Sequence, residues 1–291
     1  MAKAHEIGAL LEIGQRVLED STHIFDDHDN AGDARELLAS CLDADPDTLD
    51  KRVVPPARVR EKYLSLIARR AAGEPFPFLT GRIEFYGLDF KVRPGPFVPR
   101  PSSELTVERA ARRLKRKQRP VVVDLCTGAG PIAIAIADEF PEAEVWGTDI
   151  DRSGLKLGRE NAKRLGVDNV TLRAGDMYGG LPERLRGSVD VITGHVPYVP
   201  PDEIDDLPTE VKEFEPVFTL SDRSGDGLGL MRKAVGEAAG WLKLGGWLLL
   251  EVSDDLPPKI RRLVRKAGLD DMGIASDDDG LSVVIEARRS R

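Results

Sequence analysis

Apolar residues in the first part of the chain recur at helical spacing. Ile7, Leu10, Leu11 and Leu18 mark one face, with Gln15 in the same period. Ala34, Leu37, Leu38, Cys41 and Leu42 mark a second, for which Asp33 offers an N-cap. Val59, Tyr63, Leu66 and Ile67 mark a third, running from about Pro56 to Ala72-Gly73, where glycine suits the left-handed position past a helix end. These patterns predict a small helical domain over residues 1–79.

The pattern then changes. Phe85, Phe90 and Val92 around Gly87 predict a β-hairpin, followed by four prolines between Arg93 and Pro101. Proline cannot donate to a central ladder, so residues 80–103 are expected to form a hairpin and a stiff extended connector. From residue 104 the chain alternates. Apolar strands are predicted at Val121–Leu125, Glu144–Thr148, Val170–Ala174, Val189–Thr193 and Trp247–Val252. Between or before them run helices at about 103–117, Pro131–Phe140, Ser153–Leu165 and Gly229–Leu242. Strands separated by helices mean βαβ units and an α/β, mostly parallel sheet over residues 104–291.

Composition narrows the class. The 291 residues are 41 % hydrophobic and 32 % charged, as in a globular chain. The apolar runs are too short for a membrane helix. Glu6 and Gly8 come directly after Lys3 and His5 and leave no apolar run there, so no secretory leader is expected. Cys41 and Cys126 form no Cys/His ligand cluster, so no metal is expected, and both read as reduced thiols of a cytoplasmic protein. The net charge of −8 argues against a large nucleic-acid footprint. The basic stretch Arg109–Arg119 reads as cations at a helix C-terminus, and Asp277–Asp279 as a solvated loop.

The candidate chemistry lies at successive strand ends. Cys126, Thr127, Gly128, Ala129 and Gly130 come after the first strand of the sheet and open a helix, where glycine admits a ligand to the backbone. A third glycine of the dinucleotide fingerprint is replaced by Ala133, so this turn alone does not choose the cofactor. Asp149 ends the next strand, where a carboxylate accepts ribose hydroxyls. Asp176 and Met177 come after the third, placed to flank an adenine. Ligands of open α/β sheets bind along that edge.

At this point the chain resembles the class I S-adenosylmethionine-dependent methyltransferases, and within them the HemK/PrmC family, which methylates a glutamine amide of peptide-chain release factors. The resemblance rests on Gly81–Gly87, Val98–Glu104, Asp124–Gly130, Glu210-Val211 with Glu215-Pro216, Gly225–Leu228, and Gly245-Gly246 before Leu248–Glu251. It implies a Rossmann-like methyltransferase sheet with S-adenosyl-L-methionine on residues 126–130, Asp149, Asp176, Met177 and His195.

One departure stands out. The family signature Asn-Pro-Pro-Tyr is here His195, Val196, Pro197 and Tyr198. In the family the Asn oxygen and a following backbone carbonyl take the amide's two N–H groups, and the Tyr packs on its plane. A neutral imidazole offers one acceptor, or a general base near neutral pH. His195, Pro197 and Tyr198 are therefore the catalytic candidates. Val196 joins them in acceptor binding, with Glu104 and Glu215 at the pocket rim beside Asp202, Glu203 and Glu210.

The changed signature leads to the expectation of an N-methyltransferase acting on a planar nitrogen of a free amino acid or small metabolite, such as the guanidino group of arginine. The alternative is a release factor glutamine N-methyltransferase that tolerates His-Val. Alternatives of other classes are a non-catalytic cofactor-binding scaffold and a dinucleotide oxidoreductase. The partner is then a small-molecule or protein nitrogen acceptor, with no membrane.

Overall fold

The computed structural model describes residues 6–24, 29–277 and 283–290. Lys3, His5, Asp278 and Asp279 lie outside them. The chain divides into two compact units. One takes in Met1–Arg82, Val92–Pro94 and Asp206–Glu215, and the other Ile83–Lys91, Gly95–Asp205 and Pro216–Arg291. Among the described residues no helix is long and apolar enough to cross a membrane.

The smaller unit is built on helices α1 (Ile7–Glu19), α2 (Asn30–Leu42), α3 (Ala57–Ala71) and α4 (Phe76–Thr80). Leu10, Leu18, Leu37, Leu38, Tyr63 and Ile67 form its core, at the positions the periodicity marks. Asp33 does not cap α2. Asp29 does, accepting from Gly32 N at 2.8 Å, and α2 begins before Asp33. Asp33 instead accepts from Arg70 Nε of α3 at 2.8 Å. Arg70, 3 % exposed, also reaches Glu210 Oε2 at 3.1 Å. Glu210 belongs to a late segment of the chain, with the short helix α8 (Thr209–Lys212), which joins this unit.

The larger unit begins at Ile83, in a hairpin of β1 (Arg82–Phe85) and β2 (Leu88–Lys91). Its turn residues Tyr86 and Gly87 both have positive φ, 52° and 71°, which matches the twist of a two-residue hairpin. The sequence sets this hairpin apart as part of a connector, but its strands belong to the larger unit for a physical reason. Phe85 and Phe90 are fully buried, edge to face at 6.1 Å, among Val107, Ala110 and Leu114 of α5 (Glu104–Leu114).

The central sheet and its helices run β3 (Val121–Leu125), α6 (Pro131–Glu139), β4 (Glu144–Asp149), α7 (Arg152–Leu165), β5 (Val170–Ala174) and β6 (Val189–Gly194). After α9 (Val217–Leu220) come α10 (Gly229–Trp241), β7 (Leu242–Val252), α11 (Pro257–Lys266), β8 (Asp270–Ser276) and β9 (Val283–Arg288). The strand order is β5-β4-β3-β6-β7-β9-β8. The first five are parallel and β9 is antiparallel to both neighbours. Both faces are covered, so β3 and β6 are nearly continuous apolar runs.

Three of the basic side chains between 109 and 119 are used inside this fold. Arg109 and Arg113 hold the buried Glu286 of β9 at 2.8 and 2.9 Å, and Lys117 holds Asp190 at 2.7 Å.

Candidate functional site

The strand order reverses between β3 and β6, so their connections leave in opposite directions and open a crevice at the C-terminal edge. A buried carboxylate ties the two strands there. Asp124 and Thr193 are register partners, and Thr193 Oγ1 donates to Asp124 Oδ1 at 2.8 Å. Thr127 Oγ1, from the turn after β3, donates to Oδ2 at 2.6 Å. Burial pushes the Asp124 carboxyl up to about 6, with the two hydroxyls holding it down and the charges of Asp149 and Glu251 raising it further.

The turn after β3 is shaped for backbone approach. Gly128 and Gly130 have φ of 54° and 79°, and a Cβ on Gly128 would meet nothing within 4 Å. That open face is where a ligand can lie against the chain. Gly128 N donates to Asp149 Oδ2 at 2.7 Å, and Asp151 N donates to Oδ1 at 2.7 Å. Asp149 therefore fixes the turn and keeps lone pairs for hydroxyl donors. Burial raises its carboxyl, and the backbone donors oppose that shift.

The expected adenine contacts divide. Asp176 faces solvent and pairs with Lys233 Nζ at 2.5 Å. Met177 has φ of 53°, and this backbone turns its side chain inward: it is 2 % exposed, with Sδ 3.5 Å from Cys126 Sγ. Met177 thus supports the turn from below. The apolar side chain open beside Asp149 is Ile150, 61 % exposed, which the strand pattern gave no reason to single out.

His195 comes directly after β6. Its ring lies edge-on to Phe97 at 5.5 Å and stacks on Tyr198 at 5.8 Å, 21° from coplanar. Nδ1 faces Ser103 Oγ at 3.3 Å and Glu251 Oε2 at 3.5 Å. Glu251 is buried and accepts from Ser102 Oγ at 2.9 Å. Burial and then the Glu251 charge push the Tyr198 phenol up to about 12, so it stays neutral near pH 7. Pro197 is half-buried, and Val196 is fully buried, packed in the core beneath the loop.

Other expected residues fall elsewhere. Glu104, placed at the rim by the sequence, turns its carboxylate to the hairpin, where Oε1 accepts from Tyr86 N at 2.7 Å. An N-terminal helix residue beside an unpaired turn amide explains that choice. Glu215 is buried in the smaller unit. Residues that sequence reasoning did not join to the site are Phe97, Ser103 and Glu251, which surround His195.

A methyltransferase-domain family model matches residues 116–267. A release factor glutamine methyltransferase of Moorella thermoacetica is 38 % identical over 76 % of this chain and 76 % of its own length. One from Burkholderia pseudomallei is 38 % identical over 85 % of this chain and 88 % of its own. Among solved structures, a 16S rRNA N2 G1207 methyltransferase of T. thermophilus, in complex with AdoMet and guanosine, superposes with a TM-score of 0.51 at 20 % identity. The match covers 72 % of this chain and 49 % of that one. At that identity it supports the fold alone, a Rossmann-like methyltransferase sheet. The curated relatives correct the acceptor expected from His195-Val196. They are named for a glutamine on a release factor, not for a free amino acid or a small guanidino metabolite.

Proposed function

We propose, from the premise that this chain belongs to the release factor glutamine methyltransferase family, that it methylates a glutamine side-chain amide of a peptide-chain release factor. The chain is a methyltransferase whose cofactor is S-adenosyl-L-methionine. The open backbone at Gly128 and the carboxylate of Asp149 fit that cofactor: residues 126–130 would hold its amino-acid part and Asp149 its ribose. Ile150 offers the apolar side chain for the adenine, with Asp176 near its polar edge. The cofactor supplies an electrophilic methyl on a sulfonium.

The chain's own task is positioning. An amide nitrogen is a weak nucleophile, so its lone pair must be held in line with the methyl. The observation that carries the reading is the departure of two loops from adjacent strands at one switch point: the glycine turn from β3 and His195–Tyr198 from β6. In this reading His195 accepts an amide N–H, Tyr198 as a neutral phenol packs on the amide plane, and Pro197 stiffens the loop. Val196 acts through its backbone, since its side chain is in the core.

All the proposed cofactor contacts lie in the larger unit, and the helical unit is proposed to serve recognition of the protein acceptor. With a release factor as acceptor, the protein would work in the cytoplasm. The test is methyl transfer from labelled cofactor to a purified release factor beside a panel of free amino acids including arginine. Methylation of one release-factor glutamine, with no label in arginine, is the expected outcome. Cofactor binding with no methyl on the release factor would overturn the assignment.

A further inference from the structure

His195 stands where the family signature has an amide side chain, and a histidine brings an ambiguity that an asparagine lacks. A neutral imidazole carries its proton on either nitrogen, so the nitrogen facing the acceptor is a donor in one tautomer and an acceptor in the other. Only the second can take an N–H from an amide. Something must hold the proton on the far nitrogen.

The geometry points to Glu251 as that group: we propose that Glu251 is a positioning residue that keeps the His195 proton on Nδ1 and so presents Nε2 as a hydrogen-bond acceptor to the substrate amide. This rests on the acceptor reading above. Four observations support it. Nδ1, and not Nε2, faces the carboxylate, at 3.5 Å. Glu251 is 3 % exposed, so its field on the ring is little screened by water. Its other oxygen is fixed by Ser102 Oγ at 2.9 Å, and Thr106 Oγ1 stands 3.5 Å from Oε2. The ring cannot easily flip its edges, being held between Phe97 and Tyr198. Ser103 Oγ at 3.3 Å lies on the same edge and accepts or donates as needed, so it does not select a tautomer by itself. A carboxylate, which only accepts, does. Glu251 thus acts on the amide only through His195.

Two measurements test this on the full-length protein. The first reads the tautomer without any acceptor, from long-range proton–nitrogen NMR of histidine-labelled protein at a pH where His195 is neutral. The wild type should show a protonated Nδ1 and an unprotonated Nε2. In Glu251→Gln the Nδ1–H form should lose its preference, because the amide can donate to Nδ1. A wild type with its proton on Nε2 overturns the proposal, even if the release factor is methylated. The second is a double-mutant cycle on methyl transfer to the release factor. Glu251→Gln should lower kcat about 10- to 100-fold, the range lost when a carboxylate that orients a metal-bound histidine is removed, with cofactor affinity unchanged. Glu251→Asp should recover part of it. In a His195→Asn background, where no tautomer needs choosing, Glu251→Gln should change kcat by less than about 3-fold. An equal loss in both backgrounds would show that Glu251 only supports the fold, and the proposal would fall.

Discussion

Gly227 lies against the backbone of Tyr198 with no space for a side chain between them. A Cβ there would stand 2.3 Å from the Tyr198 carbonyl oxygen and 2.8 Å from Pro200 N, and φ at Gly227 is 66°. Gly227 of the Gly225–Leu228 motif is therefore part of the seat of the loop that follows β6. Gly227→Ala should destabilise the protein by about 1–3 kcal/mol through strain and displacement of that loop. Turnover should fall while cofactor affinity, measured by calorimetry, stays near wild type. Wild-type turnover in the variant would mean that the loop moves without consequence.

Asp124 gives a pH dependence of opposite sign to a paired carboxylate. Its carboxyl is raised from 3.8 to about 6 in the fold, chiefly by burial. Between those values the folded chain holds a proton that the unfolded chain has released. Stability therefore falls as pH rises through that window, by about 3 kcal/mol for a shift of this size. Asp124→Asn removes this slope. Relative to wild type, the variant should gain stability between pH 4 and pH 7 in urea unfolding. A difference that stays constant across that range would show that Asp124 ionises without hindrance.

The elements readable from the sequence are those whose pattern is set locally. Strands β3, β4 and β6 read as strands because burial on both faces leaves them mostly apolar, and the edge strand β5 because Val170 and Leu172 alternate with the exposed Thr171 and Arg173. The C-terminal end was not legible. β8 is an edge strand with alternate residues exposed and begins Asp270-Asp271, which reads as a loop. β9 hides a buried Glu286 that only its partners Arg109 and Arg113, far away in sequence, explain. Gly245-Gly246 reads as a turn before a strand at Trp247, but β7 runs from Leu242 with a register shift in its pairing to β6. The site shows the same division. Asp149 reads from its place at a strand end, and His195 from the family signature whose Asn it replaces. The Glu251 contact to His195 does not read from the sequence, because it depends on β6 and β7 being neighbours.

Asp149 should govern both the cofactor and the turn that receives it. Asp149→Ala removes a charged acceptor, which should weaken S-adenosylmethionine binding by about 1.5–3 kcal/mol. It also frees the Gly128 and Asp151 amides, so the thermal midpoint should fall even without cofactor. Asp277→Ala, beyond the edge strand β8, serves as the control and should leave affinity unchanged. Unaltered binding in Asp149→Ala would remove this residue from the site.

Arg70 anchors the late segment around Glu210 to the helical unit through one buried guanidinium. Arg70→Ala should lower the stability of that unit by about 3 kcal/mol, the low end for breaking a buried pair, because Glu210 is partly exposed. Arg70→Lys should recover little. A lysine cannot reach Asp33, Glu210 and the Glu74 carbonyl with one rigid fork. Urea unfolding followed by a probe in α3 checks this, and a loss below about 1 kcal/mol would contradict the anchor.

His195 is the position where the acceptor reading is most exposed to test. If its Nε2 takes the place of an amide oxygen, the requirement is an acceptor in a fixed place, not a histidine as such. His195→Asn should therefore methylate a release factor within about 10-fold of wild type, since one hydrogen bond of altered length is at stake. His195→Ala removes the acceptor and the ring that Phe97 and Tyr198 pack against, and should lower turnover by about 10²-fold, as for loss of one preorganised group at a reacting centre. Cofactor affinity should change little in either, because Asp149 and the glycine turn lie on other strands. The order of the three proteins carries the argument. A general base would make Asn as inactive as Ala, because an amide cannot take a proton near pH 7. Asn near wild type and Ala far below it supports positioning. Asn and Ala equally impaired would assign His195 to proton transfer instead, and Ala at wild-type turnover would leave the amide to Tyr198 and the loop backbone.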